Sequence, residues 1–153
     1  MSFEIVSVIG LGYIGLPTAA MFASRKKKVV GVDVNQHAVD TINKGQIHIV
    51  EPELDMIVHA AVTEGYLKAV TTPEAADAFL IAVPTPFLPC SEGEIPAPDL
   101  TYIKSASRAI APVLKKGDLV ILESTSPVGA TEDMATWLAE ARPDLSFPQT
   151  AGE

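Results

Sequence analysis

The sequence has a single cysteine, Cys90, so no internal disulfide can form and the fold must stand on packing alone. It has no apolar run of the roughly 18 residues needed to span a bilayer. Its first residues, MSFEIV, carry an acid where a secretory signal would carry basic residues. Cytoplasm is the expectation, with no membrane partner. Basic residues are few: 11 Lys and Arg stand against 19 Asp and Glu, a net charge of -8. That balance repels nucleic acid and anionic lipid, and the one basic run, Arg25 to Lys28, is too short to reverse it. No repeat of fixed period and no low-complexity tract is present.

What remains is ordinary globular material, 153 residues of which 48% are apolar, enough for one domain around one core. Short apolar runs at Phe3 to Ile9, Lys28 to Val34, Tyr66 to Val70, Ala78 to Val83 and Asp118 to Ser124, the first of them rich in β-branched residues, predict strands. Between them lie helix-length stretches: Ile14 to Ser24; Gln36 to Lys44, capped by Asn35 and stopped by Gly45; and a third with Pro52 in its first turn, stopped by Gly65. Thr72-Pro73 predicts one further helical turn. Asp99 caps a helix to about Leu114 that Pro112 must kink or end, and Ser126 to Ala141 is the last helix. Phe87 to Pro98 is a proline-rich loop, and Phe147 at most begins a sixth strand. Strands that read as apolar on both faces, alternating with helices, predict an α/β fold, a doubly wound parallel sheet with helices on both faces.

The first strand runs into VIGLGYIGLPTAA, with Gly10, Gly12 and Gly15 at G-x-G-x-x-G spacing. With glycine at about 7% of residues, such a triplet arises by chance in about 5% of chains this long, so its context decides. It leaves a predicted strand, opens a predicted helix, and lies in a β-α-β unit whose second strand ends at an acid, Asp33. Gly10 permits the turn, Gly12 lets backbone approach a pyrophosphate, and Gly15, followed by the small Ala19 and Ala20, permits close helix packing. Free N–H groups of the first helical turn supply the positive potential that a -8 protein otherwise lacks. Asp33, 18 residues after Gly15, stands where a carboxylate accepts from both adenosine ribose hydroxyls. A 2′-phosphate would meet a like charge there and no Arg follows to accommodate it, so NAD is expected over NADP, although the glycines alone do not exclude FAD. The fold is therefore expected to be a Rossmann domain over residues 1–153.

Pro84-Thr85-Pro86 and Ser124-Thr125-Ser126-Pro127 both end predicted strands, on the edge where open α/β sheets bind ligands. Their hydroxyls either meet the nicotinamide ribose or cap Pro-fixed turns. Cys90 sits in a polar loop with no His or basic residue nearby to lower its pKa, which argues against a nucleophile. His37, His48 and His59 follow one another at intervals of 11, with no tight pair to give a metal face, so no metal is expected. Glu51 and Glu53 flank Pro52 at a helix start, where the macrodipole favours acids without any catalytic role.

The strings GLGYIGLPTA, HIVEPEL, IAVPTPF and LESTSPVGATE, in that order, resemble the first domain of the UDP-sugar 6-dehydrogenases, and the similarity runs through almost the whole chain. The Phe87 to Pro98 loop departs from it in length. The resemblance implies two-step oxidation of the C6 alcohol of a nucleotide sugar to a carboxylate, with two NAD⁺ reduced. It points to UDP-linked N-acetylmannosamine and to surface polysaccharide precursors. It places Tyr13, Ile14 and Asp33 at the adenosine and pyrophosphate, and Thr85 and Thr125 near the nicotinamide, Thr125 also ordering water at the reaction centre. The family's nucleophile is a cysteine in a Gly-Gly-His-Cys type segment, assisted by a lysine, an asparagine and a glutamate, and Cys90 matches none of these. Those segments, the UDP-binding domain and the dimerising central helix are expected beyond Glu153. The domain reads as truncated, binding NAD but inactive alone. A β-hydroxyacid dehydrogenase type of oxidoreductase domain, or a non-catalytic dinucleotide-binding module, are the alternatives.

Overall fold

The short apolar runs form strands and the stretches between them form helices in the computed structural model, which describes residues 4–84, 91–94, 99–123 and 130–146. Strands β1 (Ile5–Ile9), β2 (Lys28–Val32), β3 (Leu67–Val70), β4 (Ala78–Ile81) and β5 (Leu119–Leu122) make one parallel sheet in the order β3-β2-β1-β4-β5. Helices α1 (Gly15–Ser24), α2 (Gln36–Asn43) and α3 (Leu54–Thr63) cover one face, and α4 (Thr101–Ile110) and α5 (Ala130–Ala141) the other. The expected doubly wound sheet is present. Its strand order reverses between β1 and β4, which opens the crevice where such sheets take ligands.

Two hydrophobic layers hold the helices to the sheet. Val6, Val8, Val29, Leu67 and Leu80 meet α1, α2 and α3, while Ile9, Val32, Phe79 and Ile81 meet α4 and α5. In α4 the buried Ile103, Ala106, Ser107 and Ile110 repeat at the spacing of one helical face. Pro112 ends that helix in a 3-10 turn over Ala111–Val113, as its missing N–H requires. The N-cap of α4 is Leu100 and not the expected Asp99, which lies one residue earlier and accepts at Oδ1 from Thr101 N at 2.9 Å. The predicted strand at Phe147 and most of the loop from Phe87 to Pro98 lie outside the described residues.

Three further expectations need correction. The outer strands are not buried on both faces: Lys68 of β3 is exposed, as are Leu119 and Ile121 of β5. The layer formed by α1, α2 and α3 takes residues from β1 to β4 and none from β5, so that face of β5 meets solvent. Thr72-Pro73 opens no helical turn. The chain from Val70 to Ala78 must pass β2 and β1 and drop three residues in level, roughly 17 Å on the diagonal at standard strand spacings. Eight helical steps would cover only about 12 Å, so this crossover cannot be helical throughout. Finally, Pro52 lies outside the helix, which begins at Leu54 with Glu53 before it in a left-handed conformation, φ 69°.

Three helix ends share one geometry. Lys26 and Lys27 donate to Ala23 and Phe22 carbonyls, Gly45 and Gln46 to Ile42 and Thr41, and Gly65 and Tyr66 to Val62 and Ala61. Each is a Schellman closure with a left-handed residue just past the helix. Gly45 and Gly65 are the predicted stops; in α1 the same place is taken by Lys26, φ 64°.

Candidate functional site

β1 ends against the other central strands, and the turn that follows is fixed by what cannot fit there. Gly10 has φ +97°, and a Cβ added to it would lie 2.7 Å from the Ala82 carbonyl oxygen. Its own N–H donates to Val32 O at 2.7 Å. A Cβ on Gly15 would lie 1.7 Å from Gly10 O, so the first residue of α1 seats directly on the turn. Gly12 differs from both: a Cβ there meets nothing within 4 Å. It faces open space, as backbone that receives a ligand must. Beside it Tyr13 and Ile14 are exposed at 64% and 43%.

At the amino end of α1 the backbone is bonded to the turn itself, Leu16 N donating to Gly12 O at 3.0 Å and Thr18 N to Ile14 O at 3.3 Å. No side chain caps Ile14, and the first turn carries no acid of its own. Pro17 lies in that turn, where a helix does not use its N–H. An anion lying over Gly12 therefore meets the positive end of the helix dipole and no acid of the helix's own.

Asp33 follows β2 and is tied to the same turn. Its Oδ2 accepts from Leu11 N at 3.0 Å and its Oδ1 from Asn35 N at 2.9 Å. The carboxylate thus orders the glycine turn as well as facing outward. Each oxygen keeps acceptor capacity after one N–H bond, which leaves room for two ribose hydroxyls. Asn35 then caps α2, its Oδ1 accepting from Ala38 N at 3.2 Å. Val34, 93% exposed, stands beside the acid on this rim. The arrangement fits a dinucleotide: donors for a pyrophosphate, then acceptors for a ribose.

Of the predicted residues, Gly10, Gly12, Tyr13, Ile14, Gly15 and Asp33 come together at the carboxyl ends of β1 and β2. Thr85, Thr125 and Cys90 lie outside the described residues. His37 and His59 are exposed and His48 is half-buried, and among the described residues no group of three or more His, Cys, Asp or Glu is placed to hold a metal ion. Glu51 is exposed and Glu53 precedes α3 without capping it, while Asp55 is the acid in the first turn of that helix.

One contact at this edge has no counterpart in the sequence reading. Glu123, just after β5, accepts at Oε1 from Thr18 Oγ1 of α1 at 2.8 Å. The two residues are 105 positions apart, and no local pattern joins them. Concavities exist elsewhere, one of about 230 Å³ beside Lys115, Asp118 and Asp144 at the amino end of β5, another beside Gly45, Asp55 and His59. Neither of these two includes the glycine turn.

The model of the UDP-glucose/GDP-mannose dehydrogenase family, NAD binding domain, matches residues 4–150. A UDP-N-acetyl-D-mannosamine dehydrogenase from Yersinia pestis is 75% identical over all 153 residues, which span 35% of its length. An NDP-N-acetyl-D-galactosaminuronic acid dehydrogenase from Ralstonia nicotianae is 67% identical over the same 153 residues, again 35% of its length. Among solved structures, the UDP-N-acetyl-mannosamine dehydrogenase Cap5O from Staphylococcus aureus superposes with a TM-score of 0.84 at 40% identity, over 94% of this chain and 34% of that one. The chain thus spans about a third of the length of the relatives it matches.

Proposed function

The chain belongs to the UDP-glucose/GDP-mannose dehydrogenase family through its NAD-binding domain, and we propose that it serves a UDP-N-acetyl-D-mannosamine 6-dehydrogenase of the cytoplasm. The full-length activity is two-step oxidation of the sugar C6 alcohol to a carboxylate, with NAD⁺ as hydride acceptor, in a homo-oligomeric enzyme. Identity of 75% across the whole chain to a relative of that name supports the sugar. In support of the cytoplasmic location, no helix among the described residues is long and apolar enough to cross a membrane.

The observation that carries the cofactor reading is the coupling of Asp33 to the glycine turn. Leu11 N–H holds Oδ2 at 3.0 Å, so the acid that takes the ribose and the turn that takes the phosphates are set by one hydrogen bond. Gly12 leaves the pyrophosphate its space, and the amino end of α1 receives its charge. Bound NAD⁺ supplies the hydride acceptor. Thr85 and Thr125 are assigned to the nicotinamide side, where Thr125 orders water. The cysteine chemistry is assigned to sequence other than this chain, which binds cofactor without completing turnover.

Titration calorimetry of this chain tests the reading. NAD⁺ is expected to bind well ahead of NADP⁺, because a 2′-phosphate would face the Asp33 carboxylate and Val34 to Asp40 contain no Arg or Lys. Equal affinity for the two, or none for either, sinks the assignment. Assay of the full-length protein with a panel of UDP-sugars, N-acetylmannosamine and N-acetylgalactosamine derivatives included, then reads the sugar, with hydroxyacids as the contrasting substrates.

A further inference from the structure

Glu123 continues the ladder of β5, its N–H donating to Ile81 O at 2.8 Å, so its backbone is fixed by the sheet. Its side chain reaches the face covered by α1 and takes the Thr18 hydroxyl at Oε1. Thr18 Oγ1 also lies 3.0 Å from Ile14 O, two acceptors for one hydroxyl proton. Glu123 Oε2 is closed to solvent and has no donor among the described residues. A carboxylate with one oxygen on a shared proton and the other enclosed without a partner is a poor stability device. Its location is more telling. Thr18 lies on the first turns of the helix whose amino end faces the phosphates, and the chain leaving Glu123 leads directly to Ser124 and Thr125.

We propose that Glu123 is a positioning residue for the nicotinamide half of the cofactor: through Thr18 it holds the carboxyl end of β5 against α1 and sets that end relative to the pyrophosphate. The inference rests on the NAD reading above. The adenosine half needs no such link, because Asp33, Leu11 and the glycine turn are joined among themselves. Breaking the link therefore weakens whatever binds on the β5 side and spares what binds over β1 and β2.

Calorimetry with NAD⁺ and with ADP, which lacks the nicotinamide riboside, separates the two halves in this chain. In Thr18→Val and in Glu123→Ala, NAD⁺ affinity is expected to fall about tenfold, the effect of one lost positioning contact, while ADP stays within about twofold. Thr18→Ser and Glu123→Gln, which keep a hydroxyl and an acceptor, are expected to bind both ligands as the unsubstituted chain does. A parallel fall for the two ligands, or no change for NAD⁺ in the two breaking variants, overturns the proposal. Should the unsubstituted chain hold ADP as tightly as NAD⁺, the proposal fails while the adenosine site stands. Should it bind neither, the NAD reading itself fails.

Discussion

At the β3 edge of the sheet a side chain takes the place of a further strand. Asn43, at the end of α2, donates from Nδ2 to Ala69 O at 2.9 Å and accepts at Oδ1 from Ala69 N at 2.8 Å. Of the two residues of β3 that face outward, Leu67 and Ala69, Ala69 has its backbone pair satisfied in this way, and the strand's one exposed side chain, Lys68, is paired with Glu74 at 2.9 Å. At the β5 edge no such cover exists among the described residues. The N–H groups of Val120 and Leu122 face outward by the alternation of the ladder, and Leu119 and Ile121 are 36% and 42% exposed. The contrast separates two kinds of construction. The half proposed to receive adenosine and phosphate is finished by nearby chain, with Asn43 on its edge strand, a turn held by mutual exclusion and an acid bonded to it. On the β5 side, the residues assigned to the nicotinamide lie outside those described, and Glu123 at the end of the strand is bonded to Thr18 of α1.

The sharpest way to break the finished half is Gly15→Ala. A Cβ 1.7 Å from Gly10 O forces turn and helix apart, and the expected loss is about 4 kcal/mol or more in denaturant unfolding. Gly12→Ala is the control, since its Cβ meets open space: the fold should hold to within about 1 kcal/mol while NAD⁺ binding falls. If both variants unfold alike, the distinction between a packing glycine and a ligand glycine is wrong.

The edges themselves can be compared directly. Asn43→Ala removes both bonds to Ala69 and is expected to cost about 2 kcal/mol. Ile121→Thr on the open edge should stay within about 0.5 kcal/mol. Equal costs would mean that β5 is as closed as β3. A smaller effect of opposite sign belongs to α1, whose left-handed closing residue is Lys26 where α2 and α3 use glycine. Lys26→Gly should raise the melting temperature, by about 1 kcal/mol of stability at most.

The last test concerns the seam between the halves. Asp77, before β4, accepts at Oδ2 from Ile5 N and Glu4 N at 3.0 Å each and so ties β1 to the β4 side. These backbone donors, with lesser help from Lys115, hold its carboxyl below the ordinary value of 3.8. A lowered folded pKa contributes stability at pH above 3.8 that is lost as pH falls through the folded value. Asp77→Asn should therefore be less stable than the unsubstituted chain at neutral pH, and the gap in melting temperature should close in the acid limb. A gap that is constant with pH would show that the carboxylate charge does nothing there.

Much of this was legible in the sequence because its causes are local. Gly45 and Gly65 end helices since a left-handed residue is needed just past them, and Asn35 caps since its side chain reaches N–H groups three residues on. Lys26 and Glu53 hide the same backbone need behind residues that carry no signal for it. Thr72-Pro73 carries the local signal of a helix start, and nothing in its neighbourhood shows that the crossover after β3 takes no helical turn. Asp33 was legible as an acid at the end of a strand, but its bond to Leu11 was not, since that bond closes only when β2 lies beside β1.

The sequence by itself determined the parallel α/β sheet, the glycine turn and the acid beside it, and with them the class of cofactor, because strand, turn and cap preferences act over a few residues. Only the tertiary structure decided that Asp33 bonds the glycine turn, that Asn43 covers Ala69 on one edge strand, and that Thr18 meets Glu123. Those outcomes depend on the distance between segments far apart in the chain, and that distance is fixed by how strands stack and helices cover them.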